Sequence, residues 1–537
     1  MNFKFITLTT TCLLLGYSME PAAGELDINP SISTSLIRSQ NDSETFSESD
    51  TSILSIEPSI RTSYKSKRLV GNLSLDHNQI QSDTTTGNQN NSFTNYQYSG
   101  DISLVEKILS LKLAGGQSYR SILSSQYFVN DPYLGADGLS KTRNNSASVS
   151  LTIPSRKYFR LELNGGMSNV KSDKTTGTNL GLNNNNQFLE TRFYQGDEFT
   201  QLSWNFNSSY QNTDRSINDN LTSRVIDGEI GFALFSNVRA VLQGRTEENE
   251  LANADELSIN NLNYDSLGVG LSWFASKNRT ITLTYNQSER SEQEKEKFIG
   301  LDLNWHFTSR TSIQANYGKR FFGDSGSFSF IHNTKHLRTR MSYNEELTTS
   351  SRLLTSLEDQ GVFVCPAGSF SFSECFQPPS PSYELQPGQQ FSNLLAQIPE
   401  LSEQIILRKS LNANFGLSGR RITSALSFAH SNIEYLETDR IQKNNIATLT
   451  NSLQAGRRTK LNLTISYALI DEESTGTETK TISSSLGISR ELGRNMSTNL
   501  DFRYLDRSSN NPNPSAINFS NSDLTDRRLT LEFVYDF

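Results

Sequence analysis

Gly323-Asp324-Ser325-Gly326 sets a serine beside an aspartate, and His332 and His336 follow shortly after. A serine nucleophile needs a fold that brings Ser, His and Asp within hydrogen-bond reach of one another. Gly, Asp and Ser are also common formers of tight turns, and the turn reading is the one adopted, so no catalytic residue is assigned. The five histidines, His77, His306, His332, His336 and His430, are scattered without metal-ligand spacing. No phosphate loop or dinucleotide fingerprint follows a strand. The chain is therefore expected to have no enzyme activity and no cofactor. Cys365 and Cys375 stand ten positions apart beside a Pro-rich run, Pro378 to Pro387, and are the other residues with covalent or metal chemistry open to them.

The elements that carry these residues read as strands. Leu267, Val269, Leu271 and Trp273 share one face, and after Ser276-Lys277-Asn278-Arg279 the pattern resumes with Ile281, Leu283 and Tyr285. Successive side chains of a strand point to opposite faces, so each run has one apolar face and one polar face. The same alternation recurs from Leu54, Ile56, Ile60 and Tyr64 through Ile299, Leu301, Leu303, Trp305 and Phe307 to Leu461, Leu463, Ile465 and Tyr467. Hydrophobic residues make up only 34% of 537 residues, yet there are 30 Phe and 19 Tyr, and mean hydropathy is -0.52. Disorder would explain the thin apolar content but predicts few aromatics. A membrane barrel, apolar outside and polar inside, explains both. The formal charge of -8 offers no basic patch for nucleic acid.

Short basic turns (Gly419-Arg420-Arg421, Gly456-Arg457-Arg458, Gly493-Arg494-Asn495) alternate with longer polar stretches such as Gln40 to Asp50, Asn78 to Ser92, Lys171 to Asn186 and Asp506 to Thr525. That is how outer-membrane barrels are built, with short periplasmic turns and long extracellular loops. A propeller would need a fixed period near forty residues and a blade motif, and neither is present. The expectation is an all-β fold: a single large antiparallel transmembrane β-barrel of about 24 strands, range 22–26. The acidic stretches Asp42 to Asp50 and Glu289 to Glu296 read as solvated loops, with divalent-ion bridging to lipopolysaccharide as the alternative.

The termini support export and membrane assembly. Lys4, the apolar run Phe5 to Tyr17 and the small residues Ala22-Ala23-Gly24 form a signal-peptide pattern over residues 1–24, leaving 25–537 as the barrel. At the other end Leu529, Leu531, Phe533, Tyr535 and Phe537 form an alternating apolar face that ends on an aromatic. This resembles the C-terminal signal by which the barrel assembly machinery recognises bacterial outer-membrane proteins. Outer-membrane lipid, lipopolysaccharide and that machinery are thus the expected partners, in the outer membrane of a Gram-negative cell.

Alternation stops between residues 349 and 403. Ser350 to Gln360 and Gln389 to Gln404 have helix-like spacing, as in Leu394, Leu395, Ile398 and Leu401. In an oxidising compartment Cys365 and Cys375 are expected to form a disulfide; a metal pair is the alternative, though no His lies near. The insert is either a stapled surface loop or a lid folded into the lumen. Opposite the apolar faces lie Thr280, Thr282, Thr284 and Asn286; Asn462, Thr464 and Ser466; Ser497, Asn499, Asp501 and Arg503; Arg160, Glu162 and Asn164; and Arg338, Arg340 and Asn344. Such a lumen suits water and sugar hydroxyls.

The start DINPSISTSLIRSQ, the Asn-rich hairpins, the Gly-Arg-Arg turns and the two-cysteine loop together resemble a family of uncharacterised outer-membrane β-barrels associated with PEP-CTERM protein sorting and exopolysaccharide gene clusters. The resemblance implies a role in making, exporting or retaining an extracellular polysaccharide. A pore or export channel is expected first, and a non-transporting surface protein for matrix anchoring or adhesion second.

Overall fold

A computed structural model describes residues 24–43, 46–84, 87–122, 132–133, 138–153, 157–173, 181–216, 220–251, 263–276, 278–289, 295–355, 363–366, 389–392, 400–510 and 523–537. The signal-peptide expectation on residues 1–23 lies outside them, and Gly24 is the first residue of the first strand. The first strands are β1 (Gly24–Ser43), β2 (Phe46–Ser66), β3 (Leu69–Thr84), β4 (Gly87–Val105), β5 (Leu109–Ser121), β6 (Leu139–Ile153), β7 (Phe159–Ser172), β8 (Leu182–Gln195) and β9 (Leu202–Arg215). Next come β10 (Leu221–Phe235), β11 (Val238–Leu251), β12 (Tyr264–Ser276), β13 (Arg279–Glu289), β14 (Glu296–Thr308), β15 (Thr311–Arg320), β16 (Gly323–Asn333) and β17 (Leu337–Thr349). A helix, α1 (Ser350–Thr355), and a hairpin, β18 (Phe363–Pro366) with β19 (Gln389–Ser392), interrupt the series. It resumes with β20 (Ile405–Ser418), β21 (Ile422–Tyr435), β22 (Arg440–Gln454), β23 (Thr459–Glu472), β24 (Thr477–Glu491), β25 (Met496–Ser509) and β26 (Leu524–Asp536).

All but the β18–β19 hairpin belong to one 24-stranded sheet, and β1 pairs with both β2 and β26, so the sheet is a closed ring. Every pairing is antiparallel, as hairpin connectivity requires. Closure leaves no edge with unpaired backbone groups, the condition for crossing a bilayer with strands. The expected count of about 24 is the count observed.

The outer face is apolar. On β12 and β13, Leu267, Leu283 and Tyr285 are 63%, 53% and 56% exposed, while their neighbours Thr282, Thr284 and Asn286 on the inner face are 3–5% exposed. Leu36, Ile56, Leu73, Val149, Ile226, Ile299, Leu426, Leu486 and Phe533 continue the band. An apolar surface this wide belongs against lipid. At its lower border, near the short turns, aromatic rings gather: Trp273 with Trp305 at 6.0 Å, and Phe199 with Trp204 at 4.8 Å. Arg279 lies over Trp305. Amphipathic rings and long cationic stems favour the level where lipid meets water.

One rim consists of short turns, including 67–68, 236–237, 309–310, 419–421 and 455–458; the opposite rim carries the longer connections. The longer polar stretches are shorter as loops than the sequence predicts. β1 and β2 pair as far as Ser43 with Phe46, and β3 and β4 as far as Thr84 with Gly87, so Gln40 to Asp50 and Asn78 to Ser92 are mostly strand. Above the belt both faces meet water, so alternation vanishes from the sequence while the hairpin ladder continues.

Candidate functional site

The lumen wall follows from the alternation. Ser272 and Thr282 share a hydrogen bond at 2.8 Å, Asn286 donates to Thr284 at 2.8 Å, and Thr448 and Ser466 meet at 3.1 Å. Asn499 donates to Glu532 at 2.8 Å, and the Tyr194 hydroxyl donates to Glu162 at 2.8 Å. Between β13 and β17 the wall forms a recess of about 450 Å³ whose polar lining includes Thr280, Asp302, Asn304, Gln314, Asn316 and Asn344. Asn316 donates to Asp302, while Asn304, Gln314 and Asn344 stand exposed. Thr280, Thr282 and Asn344, expected on the lumen face, are thus in one recess. Asn499 and Glu162 are elsewhere on the wall, and Arg160 turns down to Asp197 at 2.7 Å on the short-turn rim.

Accessibility along the lumen is graded. On β1, Ser35, Ile37 and Ser39 are buried, while Ser31 and Ser33 nearer the short turns are half-buried. On β26, Leu524, Asp526 and Arg528 are buried, while Thr530 and Glu532 are half-buried; on β25, Leu505 and Arg507 are buried, while Asn499, Asp501 and Arg503 are more open. On these three strands the interior is more open toward the short turns and closed toward the longer connections, whereas Ser272 of β12 and the inner face of β13 from Thr282 to Ser288 are buried.

Two structures close it. The first is a strap formed by the two ends of the 349–403 insert. α1 follows β17 directly, yet it touches β6, β7 and β8, about ten of the 24 strands away around the ring. A circular ring of this size would be roughly 45–50 Å across from strand spacing and tilt, whereas a six-residue helix is only about 9 Å long. The ring is consequently pinched at this rim. Ser351 accepts from Asn184 at 3.0 Å and donates to Asn186 at 3.2 Å; Leu354 packs with Ile122, Val170, Leu182 and Leu401. Leu353 packs on the other side against Ile406, Ile433 and Tyr435. The returning end is held by charge: Arg215 at the top of β9 donates to the Glu403 carbonyl at 2.9 Å and pairs with Glu437 at 2.7 Å. Glu403 also accepts from the Asn183 amide and from Ser216. Glu400 pairs with Arg440 at 2.6 Å; burial pushes the Glu400 carboxyl up, opposed by that guanidinium.

The second closure is Tyr133, between β5 and β6. Its hydroxyl accepts from Asn78 at 3.4 Å, Arg528 of β26 lies over its ring, and it packs on the buried cluster Ile37, Ile53, Ile80 and Phe93. Tyr133 thus joins β1 to β4 and β26 on the inner face at this rim.

The insert departs from its expected structure at one point. Helix-like spacing predicts a helix through Gln389 to Gln404, but Gln389–Ser392 is strand β19, paired with β18. Pro387-Gly388 interrupts any helix entering there, and the partner strand supplies the backbone hydrogen bonds instead. Residues 393–399, with Leu394, Leu395 and Ile398, lie outside the described residues. So does Cys375; Cys365 is described as backbone only, opposite Gln390. The disulfide therefore remains a prediction, worth about 3 kcal/mol at most by chain entropy. Alkylation of unreduced protein followed by mass spectrometry is expected to leave both thiols unmodified, and label on both would sink the pairing.

The serine stretch is placed by its turn. Gly323 has φ +108, which favours glycine and closes the Phe321–Phe322 turn. Ser325 and His332 then lie on the same strand, seven residues and therefore about 23 Å apart. His332 shares a hydrogen bond with Thr311 at 2.8 Å, and His336 contacts the Ser418 carbonyl at 2.9 Å. Nothing brings the three groups together. Among the described residues no three His, Cys, Asp or Glu converge as metal ligands.

No family model matches this chain, and no curated protein does. Solved structures similar to it include the FrpB iron transporter from Neisseria meningitidis (8% identity, 95% of this chain, 81% of that one, TM-score 0.42). The siderophore receptor PirA from Pseudomonas aeruginosa is another (10% identity, 95% and 80%, TM-score 0.36), as is OccK2 (OpdF) from the same organism (8% identity, 95% and 98%, TM-score 0.33).

Proposed function

We propose that the chain is an outer-membrane barrel serving as a pore or export channel for an extracellular polysaccharide, with no chemistry of its own. In this reading the short turns face the periplasm, the 349–403 insert faces the medium, and the chain works alongside a PEP-CTERM and exopolysaccharide system. The observation that carries it is the closed apolar wall around a polar interior that is accessible from the short-turn side. Ser, Thr, Asn and Gln side chains exchange hydrogen bonds with water for bonds to sugar hydroxyls at small net cost. The strap is then a gate at the outer mouth. A deletion strain is expected to lose secreted polysaccharide and accumulate it in the periplasm; unchanged secreted and cell-bound polysaccharide would sink the reading. The strapped mouth favours one alternative, a non-transporting surface protein that anchors matrix or adheres through the insert. That alternative predicts normal secretion with polymer shed from the cell surface.

A further inference from the structure

The short-turn rim is basic over a long arc. Five successive short turns, from β14–β15 to β24–β25, each present exposed basic side chains: Arg310, Lys335, the pair Arg420 and Arg421, the pair Arg457 and Arg458, and Arg494. No acidic residue lies within any of these turns. On the opposite rim Glu400 and Glu403 are buried, and Glu400, Glu437 and Glu473 are paired with Arg440, Arg215 and Lys443, so charge there is largely taken up within the wall. A chain with formal charge -8 thus gathers cations along about half of one rim, with successive turns about 10 Å apart or slightly more, since two strands separate them.

The basic arc borders the amide-lined recess. Gln314 lies four residues above Arg310 on β15, about 13 Å along the strand, and Asn304 lies on the facing part of β14. Both amides are exposed toward the open part of the lumen. Guanidinium groups bind carboxylates bidentately, and side-chain amides bind vicinal hydroxyls. Cations at the entrance and neutral hydrogen-bonding groups just inside match one ligand chemistry, a polymer bearing both carboxylates and hydroxyls.

We propose that the short-turn arc receives an acidic polysaccharide and passes it to the Asn304–Gln314 recess. This rests on the polysaccharide reading above and specifies the charge of the polymer and the side from which it enters. A protein partner would need only the arc and gives the recess no role. A lipid surface needs only cations, which Lys67 and Arg68 of the β2–β3 turn also supply, and it likewise gives the recess no role. The field of the arc raises the encounter rate of a polyanion and is screened by salt.

The experiment measures binding of oligogalacturonate and of neutral dextran oligomers of matched length to the full-length barrel in nanodiscs, across a salt series. Wild type is expected to prefer oligogalacturonate, with the preference falling as salt rises. Replacing the four turn arginines (Arg420→Glu, Arg421→Glu, Arg457→Glu, Arg458→Glu) should weaken oligogalacturonate binding by about tenfold or more and leave dextran unchanged. Asn304→Ala with Gln314→Ala should weaken both. Equal binding of the two oligomers by wild type, or no response to charge reversal, overturns the proposal. So does an arc that retains phosphatidylglycerol vesicles while ignoring oligogalacturonate. Either failure leaves a neutral-polymer channel intact, whereas an unchanged deletion strain sinks the channel itself.

Discussion

Excising residues 350–402, with a short Gly-Ser linker in their place, is expected to raise single-channel conductance in planar bilayers severalfold over wild type. The barrel wall should survive, because β17 pairs directly with β20 from Thr349 opposite Ile405 down to Leu337 opposite Leu417. What disappears is α1 wedged against β6 to β8 and the chain returning through Leu401. A finer form of the experiment uses the ion pair. The Arg215 side chain is fully buried against Glu437. Removing one partner of a buried pair costs about 3–5 kcal/mol, because the other charge is left uncompensated, while removing both costs less. Arg215→Ala or Glu437→Ala alone should therefore cause more frequent openings than the double variant. A trimmed barrel that conducts no better than wild type would mean that the strap does not close the lumen, and the anchoring reading would gain.

The wall was legible in the sequence because lipid on one side and a polar lumen on the other impose a period of two on every strand that crosses the belt. Leu267 to Trp273 and Leu283 to Tyr285 show it directly. Above the belt that constraint lapses, so Asn78 to Thr84 and Gly87 to Ser92 read as loop although they pair across the β3–β4 ladder. The lumen face was legible for the same reason as the wall, down to Thr282, Thr284 and Asn286. The closure of the mouth was not. Arg215 ends β9 while Glu403 and Glu437 lie in two separate connections, and each alone reads as an ordinary rim charge. Their meeting depends on the pinching of the ring, a property of how strand number, tilt and insert length combine rather than of any local pattern. The helix at Ser350–Thr355 was foreseen, but its contact with the opposite wall had no local signal.

The seam between β26 and β1 should show the largest effect on assembly. Thirteen residue pairs hold it, from Ser31 opposite Asp536 to Ser43 opposite Leu524. It is fastened at both ends: the Phe537 amide donates to the Pro30 carbonyl at 3.1 Å, and Ser39 donates to Asp526 at 2.6 Å. The Phe537 ring packs edge-on against Tyr535 at 5.0 Å, continuing the apolar face of Leu529, Leu531 and Phe533. A carboxylate at this position would sit at the lower border of the lipid-facing band, and removal of the residue would also take away the last seam hydrogen bond. Phe537→Asp and deletion of Phe537 are both expected to reduce folded barrel in the outer membrane severalfold, while total synthesis is unchanged. The readout is the fast-migrating folded band of unheated samples in gel electrophoresis, compared with total protein after boiling. Phe537→Tyr keeps the ring and the backbone amide and should assemble normally. If the deletion reaches wild-type levels of folded band, the terminal aromatic is not an assembly signal, and the seam is held by its ladder and by the Ser39–Asp526 contact alone.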